Sequence, residues 1–283
     1  MIDISIKSVV FDWAGTTIDY GCFAPLKAIW EIFHSKGIEI SMEEIRRSMG
    51  LKKRDHIEKL MVLDEIRTQW IQKFGAPPNK TDIDEFYNLF ESKLLKLLPY
   101  HCSLIPGVVE VMQALRKSGL KIGSCTGYTK EMMNIIVPLA NQYGYSPDAF
   151  ITSSDVPVGR PSPFMCYKNA IELETYPMHC MVKVGDTITD IEEGLNAGMW
   201  TVAVILGSSE LGLNQQEVQR MDFNNLKDKV FKVFQRFKQA RAHYILESIR
   251  ELPDIVDQIN RRLKSGEHPN FPYDTYTSLN LRR

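Results

Sequence analysis

The chain lacks a surplus of charge: 34 lysines and arginines face 35 aspartates and glutamates, a formal net charge of −1. No basic or acidic excess marks nucleic acid or an anionic membrane as a partner. Paired cysteines are missing too. The five present (Cys22, Cys102, Cys125, Cys166 and Cys180) are odd in number and show no CxxC spacing. That argues against a disulfide scaffold or a zinc site. No apolar run approaches the roughly 20 residues needed to span a bilayer. The opening MIDISIKS has neither the basic nor the apolar stretch of a signal peptide. There is no internal repeat and no low-complexity tract. The expectation is a soluble, cytoplasmic protein acting on a small molecule, with any anion site built locally.

What is present is ordinary globular material: 44% apolar and 24% charged residues in a 283-residue chain. This length accommodates one large domain, or a core with a smaller insert. Short apolar, β-branched runs at residues 8–13, 120–126, 149–153, 181–186 and 200–206 read as buried strands. Amphipathic segments at 108–117 (stopped by Gly119), 129–143, 163–172 and 188–197 read as helices. The alternation predicts an α/β, Rossmann-like, doubly wound parallel sheet. Residues 22–100 break the rhythm. They contain helical spacing at 24–34, a capping box from Ser41 to Glu44, a helix opening at 50–54 and another at 81–98, with no strand. The division expected is a core of residues 1–21 and 101–263 and an inserted all-helical cap of 22–100. Beyond Gly207 the core is mainly helical, and a tail of 264–283 looks loosely packed.

Ligands of open parallel sheets bind at the carboxyl ends of strands. Suitable groups stand there: Asp12 in VVFDWAGTTID, Thr126 in SCTGY, Arg160 in GRPSP, and Asp186 and Asp190 in GDTITD. Each alone has a plainer reading, such as a turn, a helix cap or a solvated charge. Their order along one sheet is the signal.

These motifs resemble those of the haloacid dehalogenase superfamily of phosphotransferases. The resemblance implies Asp12 as nucleophile, with Thr126 and the Gly127 amide on the phosphoryl oxygens and Arg160 balancing charge. It implies Mg²⁺ held by Asp12, the Ala14 carbonyl, Asp186 and Asp190. Mg²⁺ prefers hard oxygens and keeps several waters, so few carboxylates suffice.

One departure is informative. Superfamily members carry a second acid two residues after the nucleophile, where this chain has Ala14. Losing a general acid costs about 10²–10⁴ in rate, so an alcohol is a poor candidate for the leaving group. A catalytically dead homologue would also explain Ala14. The insert offers a chemical answer in SMGLKKRDHIEKL, where helical spacing places Met49, Lys53 and His56 on one face. A neutral lysine forms imines with carbonyl compounds, and Lys52 and Arg54, or a dry pocket, would lower its pKa. An imine beside a C–P bond accepts the electrons released on cleavage. The plainer reading of Lys53 is a basic helix start.

The same segments resemble the branch of that superfamily that cleaves carbon–phosphorus bonds. This implies Lys53 as the imine lysine, with Met49, His56, Cys22 and Tyr128 around an aldehyde, and a homodimer with caps at the interface. The implied reaction is phosphonoacetaldehyde plus water giving acetaldehyde and phosphate, within 2-aminoethylphosphonate degradation. Proton movement and packing both remain open for His56, and an unpaired cysteine such as Cys22 is commonly a small buried hydrophobe. The alternatives are a phosphatase or phosphomutase on a small phosphate ester, and a noncatalytic phosphate-binding protein.

Overall fold

The computed structural model describes residues 4–270 and 275–277. Seven strands form one sheet: β1 (Ser8–Phe11), β2 (Lys121–Thr126), β3 (Ala149–Thr152), β4 (Met181–Gly185), β5 (Trp200–Val204), β6 (Tyr244–Leu246) and β7 (Tyr276–Thr277). Their order is β3-β2-β1-β4-β5-β6-β7, and every neighbouring pair is parallel. Chain order thus runs outward in both directions from β1, which makes the β1/β4 boundary the switch point where ligands bind. Phe11 is level with Ser124 on one side and Val184 on the other. The residues that follow, Asp12, Thr126 and Asp186, therefore emerge together at one edge. This is the doubly wound α/β core expected from the alternation.

Residues 22–100 carry five α-helices: α1 (Phe23–Ser35), α2 (Met42–Arg46), α3 (Lys53–Met61), α4 (Asp64–Phe74) and α5 (Lys80–Leu97). Aromatic rings join them, with Phe33 and Phe86 at 5.1 Å and Trp70 and Phe86 at 5.3 Å between centroids, both edge-on. Such pairs add about 0.5–1.5 kcal/mol each beyond the area they bury. The Ser41–Glu44 capping box is present. Helix α4 escaped the sequence reading, and α3 begins at Lys53 rather than Gly50. Gly50 has φ 87°, a left-handed conformation that ends any helix reaching it from either side.

The remaining helices flank the sheet: α6 (Val108–Lys117), α7 (Lys130–Gln142), α8 (Phe164–Glu172), α9 (Ile188–Asn196), α10 (Gln215–Arg220), α11 (Phe223–Gln239) and α12 (Leu252–Lys264). Two expectations about the last third need correction. Strand β6, only three residues long, sits in the part read as helical. The described tail residues are also tied down. Glu267 pairs with Arg262 at 2.8 Å, the Pro269 carbonyl lies 2.8 Å from His243 Nε2, and β7 pairs with β6. The rest of the tail lies outside the described residues. Among the described residues no helix is long and apolar enough to cross a membrane.

Candidate active site

The turn after β1 is shaped around the acid at its tip. The Asp12 amide donates to the Val184 carbonyl at 2.9 Å, and Thr17 Oγ1 donates to the carbonyls of Asp12 and Trp13, both at 3.1 Å. Gly15 has φ 93°, and a side chain there would collide with the carboxylate of Asp186. That close approach lets Thr16 Oγ1 donate to Asp186 Oδ1 at 3.2 Å, while the Ser209 amide donates to Oδ2 at 2.8 Å. The Gly-Thr-Thr turn therefore serves two strand ends at once. GDTITD also has a double role: Thr187 caps α9 in a reciprocal box with Asp190. The helix-cap reading of this motif holds, and its two acids also stand beside Asp12.

Strand ends and cap enclose a cavity of about 20 Å³, enough for about one water. Asp12, Ala14, Thr126, Gly127, Tyr128, Arg160 and Asp186 line it from the sheet side. Cys22, Met49 and Lys53 line it from the insert, and Gly50 and Thr187, which sequence reasoning did not single out, complete the wall. Met49 arrives from the loop before α3, not from the same helix as Lys53. Asp190 and His56 are absent from the wall. A larger cavity of about 560 Å³ runs along Asp19, Trp30 and His101 and shares no lining residue with it.

Charge in the site is dense and almost sealed. Arg160, 4% exposed, reaches Asp12 Oδ1 at 2.7 Å, Asp190 Oδ1 at 3.1 Å and Glu193 Oε2 at 2.8 Å. Burial alone would weaken its charge, but the carboxylates of Asp190, Asp12 and Glu193 outweigh that and hold it well above its ordinary value. Lys183, fully buried in β4, lies 2.5 Å from Asp190 Oδ1 and 3.6 Å from Glu193. Burial would raise the Asp190 carboxyl, yet Arg160 and Lys183 hold it below the usual range. Lys183 and Glu193 were missed in the sequence. Their signals are a lysine inside the apolar run MVKVG, which needs a buried partner, and an acid one turn after Asp190.

Lys53 is 6% exposed, and its Nζ lies 5.0 Å from the centre of the Tyr128 ring. Burial lowers its pKa, and the Arg160 charge adds to this against the opposing pull of Cys22, Asp12 and Asp186. The flanking cations are not the cause. Lys52 Nζ donates to the Val156 and Pro157 carbonyls, and Arg54 pairs with Asp84 and Glu58. Burial pushes the Cys22 thiol and the Tyr128 hydroxyl well up, so both stay protonated, and the Tyr128 hydroxyl has no hydrogen-bond partner among the described residues. His56 is fully buried, with Nε2 at 2.8 Å from the Ile45 carbonyl and Nδ1 without a partner among the described residues. Burial pulls it down to about 3, with the Lys53 charge second, so the ring is neutral near pH 7. These contacts favour packing over proton movement.

Asp12, Asp186 and Asp190 bring carboxylate oxygens within 4.8 Å of one another. Asp190 is already neutralised by two cations. Asp186 is not: burial, then the charges of Asp12 and Asp190, push its carboxyl well above the ordinary range. Among the described residues no cation lies within ion-pair distance of it. A buried carboxylate with hydrogen-bond donors but no counter-charge, beside Asp12, suits a hard divalent cation.

The family model of haloacid dehalogenase-like hydrolases matches residues 6–198. A phosphonoacetaldehyde hydrolase of Bacillus cereus (strain G9842) is 51% identical over 259 residues, covering 92% of this chain and 98% of the relative. A bifunctional phosphonoacetaldehyde hydrolase/aminoethylphosphonate transaminase of Clostridioides difficile (strain 630) is 54% identical over 269 residues, and the chain spans 42% of its length. A crystal structure of a phosphonoacetaldehyde hydrolase-like protein from Oleispira antarctica superposes with a TM-score of 0.91 at 38% identity, covering 93% of this chain and 96% of that one. Strand order, the buried acids at the switch point and these matches together place the chain in the haloacid dehalogenase-like hydrolases, in the phosphonoacetaldehyde hydrolase family.

Proposed function

We propose that the protein hydrolyses the carbon–phosphorus bond of phosphonoacetaldehyde, giving acetaldehyde and phosphate. The observation that carries the mechanism is the placement of a buried, pKa-lowered amine, Lys53, in the same small cavity as Asp12. Neutral Lys53 adds to the aldehyde carbon and water leaves, forming an imine that is protonated at nitrogen. One Asp12 oxygen, its neighbour held by Arg160, attacks phosphorus. The P–C bond breaks, and its electron pair moves into the imine to give an enamine. The enamine takes a proton at carbon and is hydrolysed to acetaldehyde, freeing Lys53. Water then cleaves the aspartyl phosphate, releasing phosphate and restoring Asp12. No alkoxide forms at any stage, which is why Ala14 can stand where an acid would otherwise be needed.

Asp12, Asp186 and the Ala14 carbonyl would hold Mg²⁺, with Asp190 orienting Arg160 and Lys183. When bound, the ion neutralises charge between nucleophile and phosphonate. Thr126 and Gly127 flank the position of the phosphonate oxygens. Met49, Cys22 and Tyr128 would enclose the aldehyde, with His56 packed behind Lys53. The working unit is a core of 1–21 and 101–263 and a tail of 264–283, with 22–100 as a lid over the strand ends. It acts as a cytoplasmic homodimer, and exposed apolar side chains on the lid (Met42, Phe74 and Leu89) support pairing there.

Phosphate release from phosphonoacetaldehyde, followed with Mg²⁺ and with EDTA, tests this reading. Turnover with Mg²⁺ that EDTA abolishes is expected. Faster release from sugar phosphates than from the phosphonate would overturn it.

A further inference from the structure

Arg46, at the end of α2, spends its guanidinium on backbone carbonyls of other elements. Nη1 donates to Gly21 at 2.8 Å and to Ser209 at 3.1 Å, and Nη2 reaches Gly212 at 3.4 Å. Its guanidinium carbon also lies 5.1 Å from the centre of the Phe23 ring. Among the described residues it makes no ion pair, so nothing on its own helix explains a half-buried arginine there. All its partners lie elsewhere: Gly21 on the first linker, and Ser209 and Gly212 on the loop that follows β5.

That loop is joined to the catalytic site by the opposite edge of the same residue. The Ser209 carbonyl accepts from Arg46 while the Ser209 amide donates to Asp186 Oδ2 at 2.8 Å. The loop also takes the Gly21 amide on the Gly207 carbonyl at 2.7 Å, immediately before Cys22. We propose that Arg46 is the latch of the closed lid and a positioning residue for Asp186, coupling closure to the geometry of the metal-site carboxylate. Closing the lid brings the guanidinium onto the Ser209 carbonyl, which anchors the residue whose own amide, one peptide unit earlier, holds Asp186. Linkage requires the reverse as well: an ion drawn to Asp186 orders the loop and favours the latched lid. A guanidinium suits this task because its planar fork serves several carbonyls at once, whereas a lysine ammonium on a flexible stem holds fewer in fixed geometry. Arg47, its neighbour, makes only an exposed pair with Glu43 at 3.5 Å and serves as the control.

The metal half of this proposal rests on Asp186 being an Mg²⁺ ligand, whereas the latch itself can be read without metal or substrate. Amide hydrogen exchange in the metal-free full chain is followed at residues 205–213 and 47–52, with β1 and α5 as internal references. Arg46→Ala is expected to speed exchange in both segments about tenfold or more while the references stay protected. Arg46→Lys is expected to fall between, and Arg47→Ala to match wild type. Calorimetric titration should then give an Mg²⁺ Kd raised about fivefold or more in Arg46→Ala. Unchanged exchange at residues 205–213 in folded Arg46→Ala overturns the latch. If that variant does not fold, wild-type exchange there in Arg46→Lys overturns it equally. A wild type that releases no phosphate from phosphonoacetaldehyde would refute the proposed function and leave the exchange result standing.

Discussion

Lys53 Nζ stands 5.0 Å above the Tyr128 ring, with Lys53 6% and Tyr128 2% exposed. The ring face can receive the ammonium, yet burial acts the other way and lowers the pKa of the amine. The neutral fraction near pH 7 is thereby raised over that of a free lysine.

An imine is reducible and an unmodified lysine is not. Borohydride alone should leave activity intact, and borohydride with acetaldehyde should inactivate and add an ethyl group at Lys53. Lys53→Arg should lose about three orders of magnitude or more in turnover. Lys52→Arg should cost little, since that side chain is spent on the Val156 and Pro157 carbonyls. Peptide mapping that finds the label on Lys52 alone would refute the assignment.

Asp186 and Asp190 are one turn apart and should respond oppositely to loss of charge. In EDTA, Asp186 is a buried carboxylate with a raised pKa. A group that binds more protons folded than unfolded makes stability fall as pH rises above the unfolded value. Asp186→Asn should therefore raise the melting temperature of the metal-free protein near pH 7, while abolishing the stabilisation by Mg²⁺. Asp190→Asn removes the carboxylate shared by Lys183 and Arg160, leaving Glu193 as the one acid near both, and should cost up to about 3–5 kcal/mol. Thermal melts with and without Mg²⁺ check both, and shifts of the same sign in EDTA would contradict this account.

Much of the site was legible because short apolar runs end at polar residues, and in a parallel sheet those ends converge. Asp12, Thr126 and Asp186 could be placed on one edge from this alone. The position of Met49 could not, because helical spacing was carried back through Gly50, whose left-handed backbone separates the loop from α3. The cause of the lowered Lys53 pKa was legible only as two alternatives, the neighbours Lys52 and Arg54 or a dry pocket. The neighbours drop out, because on a helix adjacent residues diverge and both are paired elsewhere. Burial, the actual cause, depends on the closed lid. Strand β6 was hidden because its three residues show no periodicity.

His56 supplies a test of the lid alone. Its pKa falls from 6.5 to about 3 through burial, so between those values the unfolded chain binds the extra proton. Stability from this group is complete above pH 6.5 and is lost as pH falls toward 3, by up to about 1.4 kcal/mol per pH unit. His56→Gln can still donate to the Ile45 carbonyl and should cost about 1 kcal/mol at pH 7. Urea unfolding of the two proteins should then converge below pH 6.5, the variant overtaking wild type a little below pH 6. A stability difference independent of pH would mean that His56 titrates normally.

Ala14 decides which leaving groups the site tolerates. Residue 14 lines the same cavity as Asp12 and Asp186, so an acid there would stand near a departing oxygen. Without that acid, p-nitrophenyl phosphate and other phosphomonoesters should turn over very poorly. Ala14→Asp should raise the phosphomonoester rate, up to about 10²-fold at the low end of general-acid effects. It should not improve phosphonate cleavage, because there the electrons enter the imine and no oxygen needs a proton. The added carboxylate joins a cluster that already repels, so Mg²⁺ dependence should steepen in the variant. Parallel kcat/KM measurements on both substrates with both proteins resolve the point. Efficient hydrolysis of many phosphomonoesters by the wild type would sink the argument, since leaving-group discrimination would then owe nothing to residue 14.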